Sequence, residues 1–177
     1  MTDYPAADSL RRCWPWQPRG HAGADLERVA YHEAGHVVLM EWLGLEDVRA
    51  EATAIGGLAH MPTSFLETPL PDPPPDESGI LAATAAAVCH AGVMAEQIRS
   101  GQPWIGPIYY PDQDDFNTSE AMLHTRFGRT SSAGHGYAQR VARHVLEHHW
   151  ERVQEIAAAL VERGEWSAKS TAMERQA

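Results

Sequence analysis

His32-Glu33-Ala34-Gly35-His36 places two imidazoles four residues apart, with a carboxylate directly after the first. On an α-helix, residues i and i+4 lie one above the other on the same face, so both imidazoles can reach one metal ion without bending the backbone. Glu33 falls roughly 100° around the helix from His32. There its carboxylate sits beside the metal rather than on it, placed to take a proton from a water that the metal has acidified. The H-E-x-x-H pattern thus predicts a zinc hydrolase site with His32 and His36 as ligands and Glu33 as general base. The chain holds 10 histidines in 177 residues. Random order would produce the pattern in about one such chain in twenty, so the surrounding sequence must carry part of the argument.

That surrounding sequence reads as a helix from Asp25 to Leu43. Asp25 is a suitable N-cap, Glu27 complements the helix dipole in the first turn, no proline interrupts, and Gly44 is a stop signal. After the motif come Val37-Val38-Leu39-Met40 and then Trp42-Leu43. The helix is apolar nearly all round and is predicted to be buried, which suits a site that excludes water.

The elements around it follow from pattern and punctuation. Val48, Ala50, Ala52 and Ala54 alternate before Gly56-Gly57, which predicts two short strands between 48 and 64. Pro69-Leu70-Pro71-Asp72-Pro73-Pro74-Pro75 is a stiff, extended connector. A second helix is predicted from a Ser78 cap to Arg99, with Ala83, Ala86 and Gly92 allowing close approach of another helix. His90, alone on that small-residue helix, reads as a core residue rather than a ligand. A Pro-, Gly- and Tyr-rich loop over 101–114 leads to a third helix beginning near Asp114 or Asp115. The stripe Val141, Val145, Leu146, Trp150, Val153, Ile156, Ala157, Leu160 predicts one long last helix from Gly136 to Arg163.

The fold class expected is α+β, mainly α: a helical zinc-peptidase domain with a small β-sheet beside the H-E-x-x-H helix. It spans 25–167, between an irregular N-terminal arm over 1–24 and a polar C-terminal tail over 168–177.

Composition narrows the function classes. The formal charge of −10 and a pI near 5.4 argue against a nucleic-acid partner, because phosphate binding needs clustered Lys and Arg. Cys13 and Cys89 cannot build a disulfide framework, and a reducing cytoplasm is expected. Arg11 and Arg12 are not followed by the apolar stretch of a signal peptide. The most apolar run, Ile80 to Ala95, is shorter than the roughly 20 residues of a membrane span. No membrane partner is expected.

A catalytic zinc takes three protein ligands and keeps one position open. The extended H-E-x-x-H-x-x-G-x-x-H motif would require glycine and histidine where the chain has Leu39 and Trp42, so the third ligand comes from elsewhere. Glu96 and the acids of Asp112-Gln113-Asp114-Asp115 are the candidates, and residue chemistry alone does not separate them.

Tyr31-His32-Glu33-Ala34-Gly35-His36-Val37-Val38 closely resembles the zinc helix of FtsH-type proteases. The resemblance continues in order. Ala91-Gly92-Val93-Met94-Ala95-Glu96-Gln97-Ile98 resembles their G-G-x-A-A-E-E helix, Asp115-Phe116 their Asp-Leu pair, and Ala142 to Trp166 their long last helix. The aspartate of that pair is the third zinc ligand in the family, which implies Asp115 here and demotes Glu96. The family's small-residue run before the aspartate is replaced by Tyr109-Tyr110-Pro111-Asp112-Gln113-Asp114, which keeps Asp114 in view. No G-x-x-x-x-G-K-[ST] loop occurs in the chain, so the family's ATP-driven unfolding does not carry over, and a separate ATPase partner is left as an open supply of substrate.

The expectation is a Zn²⁺-dependent metalloendopeptidase acting on unstructured or extended polypeptides, independent of ATP in isolation. Two other readings stand beside it: a catalytically silent zinc-containing regulatory or binding module, and a hydrolase of non-peptide amides or esters using the same zinc and glutamate.

Overall fold

A computed structural model of the chain describes residues 25–60, 75–109, 114–127 and 132–168. The expected arm over 1–24 with Cys13, the proline-rich connector up to residue 74, Asp112, and the tail from 169 lie outside the described residues.

The element order is α1 (Leu26–Trp42), β1 (Arg49–Thr53), β2 (Gly56–His60), α2 (Pro75–Arg99), α3 (Asp114–Phe127), α4 (Ser132–His148), α5 (Trp150–Arg163) and β3 (Glu165–Ser167). The class is α+β, mainly α: five helices and one small sheet among the described residues.

α1 starts and stops where its local chemistry says. The Asp25 side chain accepts from the Arg28 N–H at 2.6 Å, satisfying one of the N–H groups that a helix start leaves unpaired. At the other end Gly44 takes a left-handed φ of 75°. Leu45 N–H donates to Met40 O and Gly44 N–H to Glu41 O, the paired closure that a left-handed residue permits. Between these ends Val29, Ala30 and every residue from His32 to Met40 are buried. α1 is the central element, packed by α2, α5, β1 and β2.

Close packing of α1 on α2 rests on small residues. A Cβ on Gly35 would lie 2.6 Å from Ala91 O and 2.9 Å from Ala95 Cβ, so only glycine allows this approach. α2 itself begins at Pro75 rather than at a Ser78 cap. Proline is well suited to the first helical position, where its missing N–H has no intrahelical partner to lose.

The sheet order is β2-β1-β3, antiparallel throughout. Ala50 and Ala52 of β1 are buried, and the register pairs them with Ala59 and Gly57 of β2. These four residues form the face turned toward α1. Ala50 also pairs with buried Trp166 of β3. Alternation predicts two strands; β3, three residues long, is too short for alternation to reveal it. Gly164 closes α5 in the left-handed region, and its carbonyl accepts from Ala52 N–H at 2.9 Å, delivering the chain to the edge of β1.

The single long helix expected from Gly136 to Arg163 is two helices. α4 begins at Ser132, and the chain leaves helical geometry at His149 (φ −113°, ψ 26°) before α5. No proline or glycine marks the break, and the apolar stripe keeps its period through it. The cause is tertiary: α4 packs chiefly on α2, whereas α5 packs on α1, and a bidentate Arg152–Glu41 pair holds α5 to the end of α1. Among the described residues no helix is long and apolar enough to cross a membrane. Cys89 is a buried free thiol, its pKa pushed up by burial to about 12.

Candidate metal centre

His32, Glu33 and His36 are all buried, at 2%, 3% and 6% exposure. Helical spacing puts the two imidazoles on one face, meeting edge-on with ring centroids 4.9 Å apart. What orients them is α2. Val88, Gly92 and Glu96 are spaced by four and form one stripe on that helix. The Val88 carbonyl lies 2.7 Å from His36 Nδ1. A carbonyl can only accept, so Nδ1 carries the proton and Nε2 keeps its lone pair in the neutral ring. The Glu96 carboxylate likewise takes His32 Nδ1 at 2.6 Å, while its other oxygen accepts from Arg28 Nη1 at 3.3 Å. Gly92 makes room between them: a Cβ there would lie 2.3 Å from His32 Nε2.

Both Nε2 atoms face the same carboxylate oxygen. Asp115 Oδ2 is 3.2 Å from His32 Nε2 and 3.2 Å from His36 Nε2. Asp115 comes from the first turn of α3, and its side chain is about one-third exposed. His32, His36 and Asp115 each offer one ligand atom, all within 4.8 Å of one another. Of the acids that the sequence left open, Asp115 therefore meets both imidazoles. Glu96 lies behind His32, and Asp114 is exposed outside the cluster.

The electrostatics mark a place that favours positive charge. Burial opposes protonation of His32, but the Asp115 and Glu96 carboxylates outweigh it and lift its pKa to about 10. For His36, burial is again outweighed, by Asp115, and the pKa is raised. Burial disfavours the Asp115 carboxylate too, yet His36 and His32 hold it well below the usual carboxylate range. That demand can be met by protons or by a divalent cation. Two imidazole nitrogens with their second nitrogens already bonded, plus one carboxylate oxygen, form a donor set that fits zinc and leaves a fourth position free.

Glu33 is set apart from this triangle. Burial raises its pKa, while the two histidines pull the other way and the Ala59 backbone N–H donates to it. β2 lies directly against it: a Cβ on Gly57 would come within 2.6 Å of Glu33 Cγ and 2.7 Å of Oε1. Gly57 and Gly92 thus leave the room that Glu33 and His32 occupy; the sequence marks Gly92 only as a site of close helix approach and Gly57 only as turn punctuation beside a strand. The spacing 88–92–96 was readable, but not the helix that it faces.

Comparison of the chain with protein-family models, with curated proteins and with solved structures returns no match.

Proposed function

We propose that this chain is a zinc-dependent metallopeptidase that hydrolyses peptide bonds in unstructured or extended polypeptides, without ATP when acting alone. The observation that carries the reading is the convergence of His32 Nε2, His36 Nε2 and the Asp115 carboxylate on one point, with the buried Glu33 carboxylate beside it. The sequence resemblance to FtsH-type peptidases supports the peptide as substrate class.

His32, His36 and Asp115 would hold the metal. A zinc ion supplies two things in such a site: it brings the pKa of water toward neutrality, and it polarises a carbonyl oxygen. The chain's own residues do the rest. Glu33 accepts the proton of the attacking water and passes it to the leaving amine nitrogen. Its raised pKa narrows the gap to neutral pH and helps it act in both directions. Glu96 and the Val88 carbonyl keep both Nε2 atoms aimed at one place.

β2 is one of the two edge strands of the sheet. An extended substrate adding to it would gain main-chain hydrogen bonds with little side-chain selectivity, and Gly57 would bring that chain past Glu33. A cytoplasmic setting, and a separate ATPase partner that delivers unfolded chain, belong to the same reading.

The test is metal analysis and cleavage of a peptide library by purified protein, for wild type and Glu33→Gln. About one zinc per chain is expected in both, with cleavage reduced by about 10²–10⁴ in Glu33→Gln. Full zinc and no turnover by wild type would favour the metal as a structural clamp in a binding module.

A further inference from the structure

One buried polar cluster takes no part in the chemistry above. His90 of α2, Ser119 of α3 and His135 of α4 are 0%, 0% and 5% exposed. Their polar atoms form a closed triangle: Ser119 Oγ is 2.9 Å from His90 Nε2 and 3.0 Å from His135 Nδ1, and the two ring nitrogens are 2.9 Å apart. The fourth member, Glu120, binds His135 Nε2 and is more than one-third exposed.

The proton order follows from the donors. A carboxylate accepts only, so His135 Nε2–H donates to Glu120 and His135 Nδ1 is left as an acceptor. That Nδ1 has two donors within reach, Ser119 O–H at 3.0 Å and His90 Nε2–H at 2.9 Å, and Ser119 Oγ can also accept from His90 Nε2–H. Burial lowers the pKa of both His90 and His135, consistent with two neutral rings. Acid, histidine and serine in line suggest a nucleophile, but a serine with no exposed surface meets no substrate.

We infer that His90, Ser119, His135 and Glu120 are positioning residues for Asp115, pinning the start of α3 so that its carboxylate meets the two imidazoles. The inference rests on the reading of Asp115 as a metal-holding residue. Asp115 and Ser119 are one helical turn apart on the same face of α3. Between them Phe116 stacks on the His135 ring (4.5 Å, 17°) and meets His90 (6.1 Å) and Tyr109 (4.8 Å) edge-on. The first turn of a helix lacks intrahelical partners for its N–H groups, so tertiary contacts must fix where Asp115 sits. α2 supplies the common reference: Val88 orients His36, His90 pins α3, and Gly92 and Glu96 seat His32. On α4 the pin is reinforced by buried Gln139, whose amide donates to Ile108 O and accepts from Ile108 N–H, both at 2.7 Å, fixing the loop that carries Tyr109.

The experiment uses full-length Ser119→Ala, Glu120→Gln and Asp115→Ala, with Ile156→Val of α5 as a remote core control. Zinc affinity is read by competition with a chromophoric chelator, coordination by the visible spectrum of the Co²⁺-substituted protein, and stability by thermal unfolding in chelator. Ser119→Ala should weaken zinc binding by about 10–100-fold and alter the Co²⁺ bands. Glu120→Gln should move both in the same direction by a smaller factor, and Ile156→Val should move neither. Wild-type affinity and Co²⁺ spectrum in Ser119→Ala and Glu120→Gln, with both lost in Asp115→Ala, would overturn the inference and leave the cluster as satisfied core. Asp115→Ala with undiminished affinity would instead sink the metal-site reading beneath it. If Ser119→Ala does not fold, Glu120→Gln at the exposed end of the chain decides.

Discussion

Replacing Gly92 by alanine should weaken metal binding at the proposed centre, against the ordinary effect of that substitution. In an open helical position glycine to alanine stabilises by about 1 kcal/mol. At Gly92 the new Cβ would lie 2.3, 2.4 and 2.6 Å from His32 Nε2, Cδ2 and Cε1, where non-bonded carbons prefer about 3.5–4.0 Å. Relief needs a movement of about 1 Å or more, and neither side yields freely. The Cβ is fixed to the α2 backbone, and the imidazole is held by its 2.6 Å bond to Glu96. Prising α1 from α2 works against the tight Gly35–Ala91 crossing and costs about 1–3 kcal/mol as overpacking. Rotating His32 away instead leaves a buried hydrogen-bonding group without its partner, again about 1–3 kcal/mol.

Set against the helix gain of about 1 kcal/mol, either route leaves a net destabilisation of up to about 2 kcal/mol, a Tm lowered by up to about 8 °C in a chain of this size. The metal effect is larger, because the atom crowded most is Nε2, the one that must donate. Zinc affinity should fall at least about 100-fold, beyond what loss of an orienting partner does. Thermal unfolding with and without chelator, together with a zinc competition titration, reads both quantities. A Gly92→Ala protein with wild-type zinc affinity and a Tm raised by about 2–4 °C would show that the site has room, and would refute α2 as the cradle of His32.

Gly57→Ala separates base from metal: its Cβ would press on Glu33, so peptide cleavage should drop at least tenfold while zinc content stays at wild-type level, and unchanged cleavage would remove β2 from the site. Metal-free protein should lose stability as pH rises. The folded pKa of His32, about 10, stands above its ordinary 6.5, so its contribution is fully present below about 6.5 and disappears toward 10. Zinc bound as proposed would take the place of that proton, so Tm against pH should be flatter over this window for zinc-loaded protein; identical slopes with and without chelator would contradict the assignment. Because burial raises the Glu33 pKa above 4.5, the acid limb of kcat/KM should lie above the ordinary carboxylate range, and a limb at or below that range would count against Glu33 as the base. A substrate in stable folded form should resist cleavage relative to a destabilised variant with the same cleavage sequence, since opening a domain costs about 5–15 kcal/mol; equal rates without ATP or a partner would imply recognition of an exposed loop.

The sequence by itself determined what is local. The start of α1 at the Asp25 cap, its end at Gly44, and the placement of His32 and His36 on one face all follow from interactions spanning at most one turn. The β1–β2 hairpin was legible because alternation and glycine punctuation are also short-range signals. The tertiary structure decided the rest. The bend at His149 is invisible to periodicity, because both halves keep one apolar stripe while facing different helices. Glu96, Asp114 and Asp115 are equivalent as carboxylates. Only the crossing of α1 on α2 sets Glu96 behind His32, and only the placement of α3 brings Asp115, rather than its neighbour Asp114, to both imidazoles. The same holds for Gly57 and Gly92: a missing side chain carries no chemistry of its own, and its meaning comes from what the fold presses against it.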